Sequence, residues 1–337
     1  MAGGDTPVNH DGEATVDLGA DHSVGRGVTV TAGGVELFRY TYRPDTAQLE
    51  SPKPYLHPVR TLAGDVVTLF RPHDHVWHKG IAWSLPHVGE HNFWGGPTYL
   101  RGVGYRQLAN NGSAVHRELT ALSVDGARAE LAHRLDWTSQ AGLPVIDEHR
   151  RLAATVADPT SWVLLFETAM RNVSGTPLHI GSPTTKGRDN AGYGGLFWRG
   201  PRSFTGGTIQ SPAGSGGDDL RGSRAEWFAF RGRHDGTDRA STVVMVDDTG
   251  NPDHPPQWFA RSEMFACLCP APFFSAELAV APDATITFRY AVVIAAGDRG
   301  DHGTAALAEQ GRAALAGFTA PSAPGVGPDR TGAVAHR

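Results

Sequence analysis

The segment ARAELAHRLDW (127–137) alternates without a break. Ala129, Leu131, His133, Leu135 and Trp137 fall on one side of an extended chain, with Arg128, Glu130, Arg134 and Asp136 on the other. Successive side chains of a strand point to opposite faces, so this period of two reads as a half-buried β-strand. Asp125-Gly126 just before it is a hairpin signal. Working outward, TITFRYAVVI (285–294) sets Ile286, Phe288, Tyr290, Val292 and Ile294 on one side. WVLLFETAM (162–170) is apolar on both faces, as a central strand between two packed layers would be. VTVTA (28–32), VELFRYTY (35–42), YLHPVRTL (55–62), VVTLF (66–70), EWFAFRG (226–232) and STVVMVD (241–247) extend the strand set. There is no βαβ alternation and no fixed-period repeat. The expectation is therefore all-β: one large antiparallel β-sandwich with long cleft-forming loops over 71–113 and 182–224. TAALAEQGRAALAGF (304–318) reads as a short C-terminal helix stopped by Gly317. Residues 1–16 read as a flexible lead and 319–337 as a disordered tail, which leaves a single sandwich domain over 17–303.

Composition excludes several classes. The 337 residues carry 30 Lys+Arg against 35 Asp+Glu, a formal net charge of −5. Nucleic acid needs a basic footprint, which this balance lacks. No apolar run is long enough to span a bilayer, and the first residues lack the apolar stretch of a signal peptide. The 42 Gly and 23 Pro mark a chain that turns often, as a loop-rich β protein does. Cys267 and Cys269 stand at i, i+2, where a bridge would be strained. They read as reduced core thiols, and a reducing compartment means a cytoplasmic protein.

Chemistry concentrates in the loops. Six of the 16 histidines (His57, His73, His75, His78, His87 and His91) lie between residues 57 and 91. RPHDHVWHKGIAW (71–83) holds three of them beside Asp74, Trp77 and Trp83. Two functional readings stand there. His73, His75 and His78 would ligate a divalent transition metal, or the imidazoles would do acid–base work on a polar ligand without any cofactor. The set carries no spaced carboxylate, so the metal reading is the alternative and the cofactor-free reading the main one. GEHNFWGGPTYLRGVGY (89–105) sets Phe93, Trp94, Tyr99 and Tyr105 among glycines, which suits a sugar-like or planar ligand. In LPVIDEHRRL (143–152), Glu148 shares a strand side with Arg150; it is either a solvent-face ion pair or a carboxylate aimed into the cleft. TTKGRDNAGYGGLFWRGPRSF (184–204) offers Tyr193 and Arg199, the latter able to clamp a carboxylate or a diol. In PPQWFARSEMFACLCPAPFF (255–274), Glu263 either points inward as a general base or outward to pair with Arg261. No G-x-S-x-G elbow, phosphate loop or HEXXH motif is present.

HPVRT (57–61), DHVWHKGIAW (74–83), NFWGGPTY (92–99), GGLFWRGPR (194–202) and WFARSEMFACLCPAPFF (258–274) together resemble the PmoA-like family of bacterial proteins, over roughly residues 25–298. That family bears a methane-oxygenase-like label and no established activity, and the absence of a spanning segment sits poorly with the label. More distantly, TAMRNVSGTPLHIG (168–181) looks like the mid-chain strand and turn of galactose-mutarotase-like supersandwiches. That resemblance implies a supersandwich with a histidine acid and a late glutamate base at a sugar carbon. Carried over, His75 or His78 matches the early histidine and Glu263 the glutamate. The second histidine of that pattern would fall near Pro183 or Thr184, where neither residue can serve. The combined expectation is a protein acting on a small carbohydrate or polyol by epimerisation, mutarotation or elimination. His75, His78, Glu263 and Glu148 are its catalytic candidates. His57, Arg60, Asp74, Trp77, Trp94, Tyr193 and Arg199 are its ligand-binding candidates. The rivals are a His-ligated metal-dependent oxygenase and a sugar-binding protein without turnover.

Overall fold

The computed structural model describes residues 17–318; the expected lead and tail lie outside them. The alternation of 127–137 becomes the strand Arg128–Thr138, its even-numbered residues partly exposed at both ends and its odd-numbered ones buried. It belongs to a nine-stranded sheet. An eight-stranded sheet faces it, and every pairing in both is antiparallel. The fold is the expected all-β sandwich with one C-terminal helix.

Aromatic contacts show the two sheets meeting. Phe38 stacks on Trp162 with centroids 5.8 Å apart, Trp83 meets Phe288 at 5.3 Å, and Phe228 lies parallel to Trp258 at 4.8 Å. Trp83, Trp137, Trp162, Trp198 and Trp258 are all fully buried. Each removes roughly 150–250 Å² from water, which at about 25 cal/mol/Å² contributes roughly 4–6 kcal/mol before entropy is counted. Burial without a partner would forfeit much of that. Each indole N–H therefore donates: to Met170 Sδ, Glu148 Oε2, and the carbonyls of Arg60, Val67 and Ala225.

The strand Ser161–Asn172 is apolar on both faces because two layers cover it. Trp162, Leu164 and Phe166 face the other sheet. Val163 and Leu165 face the helix Gly300–Ala316, packed with its Leu307, Ala308 and Leu315. The helix starts four residues before the expected boundary, and it lies so close that a Cβ on Gly311 would meet Val246 at 2.9 Å and Val293 at 3.0 Å. No helix among the described residues is long and apolar enough to cross a membrane.

Two expectations need correction. VVTLF (66–70) forms only isolated bridges, Arg60 to Val66 and Phe70 to Lys79, because its backbone links three different neighbours. The segments 71–113 and 182–224 are not loops throughout. Ile81–Ser84 and Gly195–Arg199 are strands in the middle of the eight-stranded sheet, paired Trp83 to Leu196 and Ile81 to Trp198. Both are buried on both faces, so they carry no polar alternation to betray a strand. Their pairing brings the two long connecting regions to one place on the outer face of that sheet.

Candidate functional site

The cleft grows from the pleat of three adjacent strands: Gly195–Arg199, Cys267–Ala271 and Gln257–Arg261. Leu196, Trp198, Trp258, Ala260 and Leu268 point into the sandwich. Phe197, Phe259, Cys267 and Cys269 consequently point out, where they pack with Trp94, Phe265, Trp77 and Tyr193 from the covering loops. Between floor and loops lies a cleft of about 400 Å³. Its aromatic walls are Trp77, Trp94, Tyr105 and Tyr193, with Phe197, Phe259 and Phe265 beneath.

The walls are held by buried polar groups. Asn92 accepts from the backbone N–H of Trp94 and of Gly95, each at 2.9 Å, and donates to Gly96 and Thr98. Buried Lys53 donates to the carbonyls of Glu50, Ser51 and Trp94, and burial holds its ammonium well below its ordinary pKa. Gly96, at φ +66°, lies under the Trp77 ring; a Cβ there would meet the indole at 2.7 Å. Tyr193 and Tyr105 join their hydroxyls at 2.8 Å, and Arg188 donates to the Tyr105 hydroxyl. Burial, then Tyr105, keeps the Tyr193 phenol well above its ordinary pKa.

The histidines sit at the inner end. Turn bonds from His75 N–H to the Pro72 carbonyl and from His78 N–H to the His75 carbonyl bring the two rings to one side. They stack with centroids 4.7 Å apart and planes 23° from parallel. His75 Nδ1 lies 3.3 Å from Asp74 Oδ2. Burial opposes ionisation of Asp74, but hydrogen bonds, among them one from Arg202 at 2.9 Å, hold its carboxyl below its ordinary pKa. His75 is shifted down by burial despite Asp74. His78 is shifted well down by burial and then by Arg199, whose Nη1 approaches His78 Nδ1 at 3.5 Å. Both imidazoles are neutral at pH 7.

Arg199 is fully buried behind this lining, its guanidinium 3.8 Å from the Phe265 ring centre. Its Nε and Nη2 have no hydrogen-bond partner among the described residues, and burial lowers its pKa to about 10, so it remains charged. Arg188 and Arg261 line the cleft itself. Arg261 donates to Met264 Sδ at 2.8 Å rather than to Glu263. Among the described residues no Asp or Glu lines the cleft.

Several expected site residues lie elsewhere. Glu263 is exposed in the turn between Gln257–Arg261 and Cys267–Ala271, its N–H donating to Asp218, and is not among the lining residues; the strand ends before it can be pleated inward. Glu148 is neither on a solvent face nor in the cleft. It is fully buried between the sheets, bonded by Arg150, Trp137 and Thr168. Arg150 continues to Tyr40, Tyr40 to His133 and His133 to His116, an internal polar network that the sequence reading missed. His57 bonds Thr68 and stacks on Phe70, and Arg60 donates to the Gly64 carbonyl; neither lines the cleft. Asp74 is at the rim, behind His75. His73 is exposed and meets Arg202, so it does not join His75 and His78; among the described residues no three His, Cys, Asp or Glu side chains are placed to share a cation. Phe259 and Arg261 were within reach of sequence reading, since they alternate with inward Trp258 and Ala260.

A family model matches residues 27–309, and the chain belongs to that family, a "Family of unknown function (DUF6807)". The resemblance to the PmoA-like family has no counterpart in this match. No curated protein matches the chain. Among solved structures, the putative aldose 1-epimerase of Klebsiella pneumoniae aligns with 89% of the chain and 87% of its own, at 10% identity and a TM-score of 0.38. The galactose 1-epimerase of Lactobacillus acidophilus aligns with 84% of the chain and 100% of its own, at 9% identity and 0.37. A heparinase III aligns at 10% identity and 0.33; 83% of the chain is covered, but the chain spans only 34% of that protein's length.

Proposed function

We propose that this member of the DUF6807 family binds a carbohydrate ring against Trp77, Trp94 and Tyr193 and moves protons on it with His75 and His78. The observation that carries the reading is the stacked imidazole pair at the inner end of an aromatic-walled cleft. Aromatic faces suit the apolar faces of a sugar ring, and the tyrosine hydroxyls and arginines suit its oxygens. The unlike neighbours of the two rings support different work for each. His75 Nδ1 lies 3.3 Å from Asp74 Oδ2, so a proton held on Nδ1 would face that carboxylate and leave Nε2 as a base. Arg199 donates to His78 Nδ1, which leaves the proton on Nε2 as an acid. In mutarotation, His75 takes the proton of the anomeric hydroxyl while His78 gives one to the ring oxygen; the ring opens, the carbonyl turns, and reclosure reverses both transfers. Epimerisation and elimination use the same pair, with the proton taken from carbon.

The test is a nuclear magnetic resonance screen of the purified chain against monosaccharides, reading anomeric exchange and new signals together. His75→Gln and His78→Gln should each slow turnover by about 10²–10⁴-fold while the sugar still binds. Absence of turnover with every sugar that binds would sink the catalytic half. One observation favours a second reading, a binding protein without turnover: the cleft has no lining carboxylate to act as a base. In that case the histidine variants weaken binding, and no sugar is converted by the unsubstituted chain.

A further inference from the structure

We infer that the ligand of this cleft is an acidic sugar, a carbohydrate ring bearing an oxyanion group that is held between Arg188 and Arg261. The inference rests on the carbohydrate reading above and deepens it. Both arginines line the cleft, and neither makes an ion pair with a carboxylate among the described residues. Their partners are neutral: the Tyr105 hydroxyl and ring for Arg188, the Met264 sulfur and the Phe259 face for Arg261. Arg117, Arg134, Arg231 and Arg312 elsewhere are paired with carboxylates, while Arg101, Arg106 and Arg299 bond only backbone carbonyls among the described residues.

The two cations converge. Both flank Tyr193: Arg188 lies 4.8 Å from the centre of the Tyr105 ring, whose hydroxyl bonds that of Tyr193, and Arg261 lies 5.5 Å from the centre of the Phe259 ring, itself 5.4 Å from that of Tyr193. Two like charges facing one partly desolvated space repel, and both ordinarily recruit an anion. Arg199 adds a third charge just behind Phe265, with two of its nitrogens unpartnered. Among the described residues no carboxylate lines the cleft; Asp74, Glu263 and Asp218, the last of which acts on Arg261, are outside the lining. A planar guanidinium fork matches carboxylate and phosphate alike. The oxyanion is therefore that of a uronic acid or of a sugar phosphate, with its ring on the aromatic wall and its reacting carbon toward the histidines.

The experiment is calorimetric titration of the full chain with D-glucuronate, D-galacturonate and D-glucose 6-phosphate, beside D-glucose, D-galactose and benzoate, with Arg188→Gln and Arg261→Gln as variants checked for folding by circular dichroism. A charge-assisted contact predicts that an acidic sugar binds about tenfold or more tightly than its neutral parent, and that the ratio falls toward one in each variant. Tighter binding of the uronates or of the phosphate supports the inference and identifies the oxyanion. Neutral sugars binding as well as acidic ones overturn the inference and leave the carbohydrate reading standing. Benzoate binding as well as glucuronate, or no member of the panel binding, overturns the carbohydrate reading and the inference together.

Discussion

The His75 and His78 rings stack 4.7 Å apart, yet they face different partners: a carboxylate behind one and a guanidinium beside the other. Stacking fixes their relative position, and the unlike neighbours make the two rings unequal. Two chemically identical residues three apart in sequence thereby stand in unlike surroundings, as the proposed division of roles requires.

That inequality can be measured. Arg199 lowers the His78 pKa, second to burial. Arg199→Met removes the charge and keeps the packing volume, so the His78 titration midpoint should rise, as read from imidazole proton shifts. Because Arg199 has no buried counter-ion, its loss strands no charge, and unfolding free energy should stay at or above that of the parent. A His78 midpoint unmoved by the substitution would remove Arg199 from the account.

Glu148 and Glu263 separate structure from surface. Glu148→Ala leaves Arg150 charged, buried and unpaired, and should cost about 3–5 kcal/mol in denaturant unfolding. Glu263→Gln, on an exposed turn, should stay within about 0.5 kcal/mol of the parent and leave ligand affinity unaltered. A large loss of turnover in Glu263→Gln, with ligand still bound, would restore the glutamate as the base.

Gly96 lies under the Trp77 ring and outside the cleft lining. Gly96→Ala puts a methyl into the indole ring and strains a backbone at φ +66°. The expected result is a ligand affinity reduced about tenfold or more, as when an aromatic contact is lost, with a stability loss of about 1–2 kcal/mol. Trp77→Ala should reproduce the affinity loss without the strain. Full affinity in Gly96→Ala would show that Trp77 does not contact the ligand.

Acid should destabilise the fold. Burial lowers His57 and His87 from 6.5 to about 4, His57 with help from Arg60. Between about pH 6.5 and 4 the unfolded chain binds protons that the folded chain refuses, so stability falls as pH falls through that window and is regained above it. For buried His87 the effect amounts to at most about 3 kcal/mol. Thermal melting from pH 7.5 to 4.5 should show the decline, with a shallower slope for His87→Gln. A parallel slope in that variant would place the sensitivity elsewhere.

The catalytic and binding candidates were legible to unequal degrees. Trp77, Trp94, Tyr193 and the histidine pair announced themselves by residue type and clustering in a Gly-rich loop, and the cleft takes them. Arg188 stood in the same run as Arg199 but carried no signal of its own, because an unpaired arginine and a salt-bridged one look alike until neighbours are known. Glu148 read as a solvent pair or a cleft carboxylate because a strand face is visible in sequence, whereas what lies across from that face is not.

Local pattern alone marked the strands over 127–137 and 285–294 by their period of two and that over 162–170 by its bounded apolar run, since both signals depend only on neighbours along the chain. The helix at the C-terminus followed from propensity in the same way. Only the tertiary structure decided that Ile81–Ser84 pairs with Gly195–Arg199, which gathers loops a hundred residues apart over one sheet face. That pairing is a long-range hydrogen-bond register between segments buried on both sides, and such segments carry no pattern that names their partner.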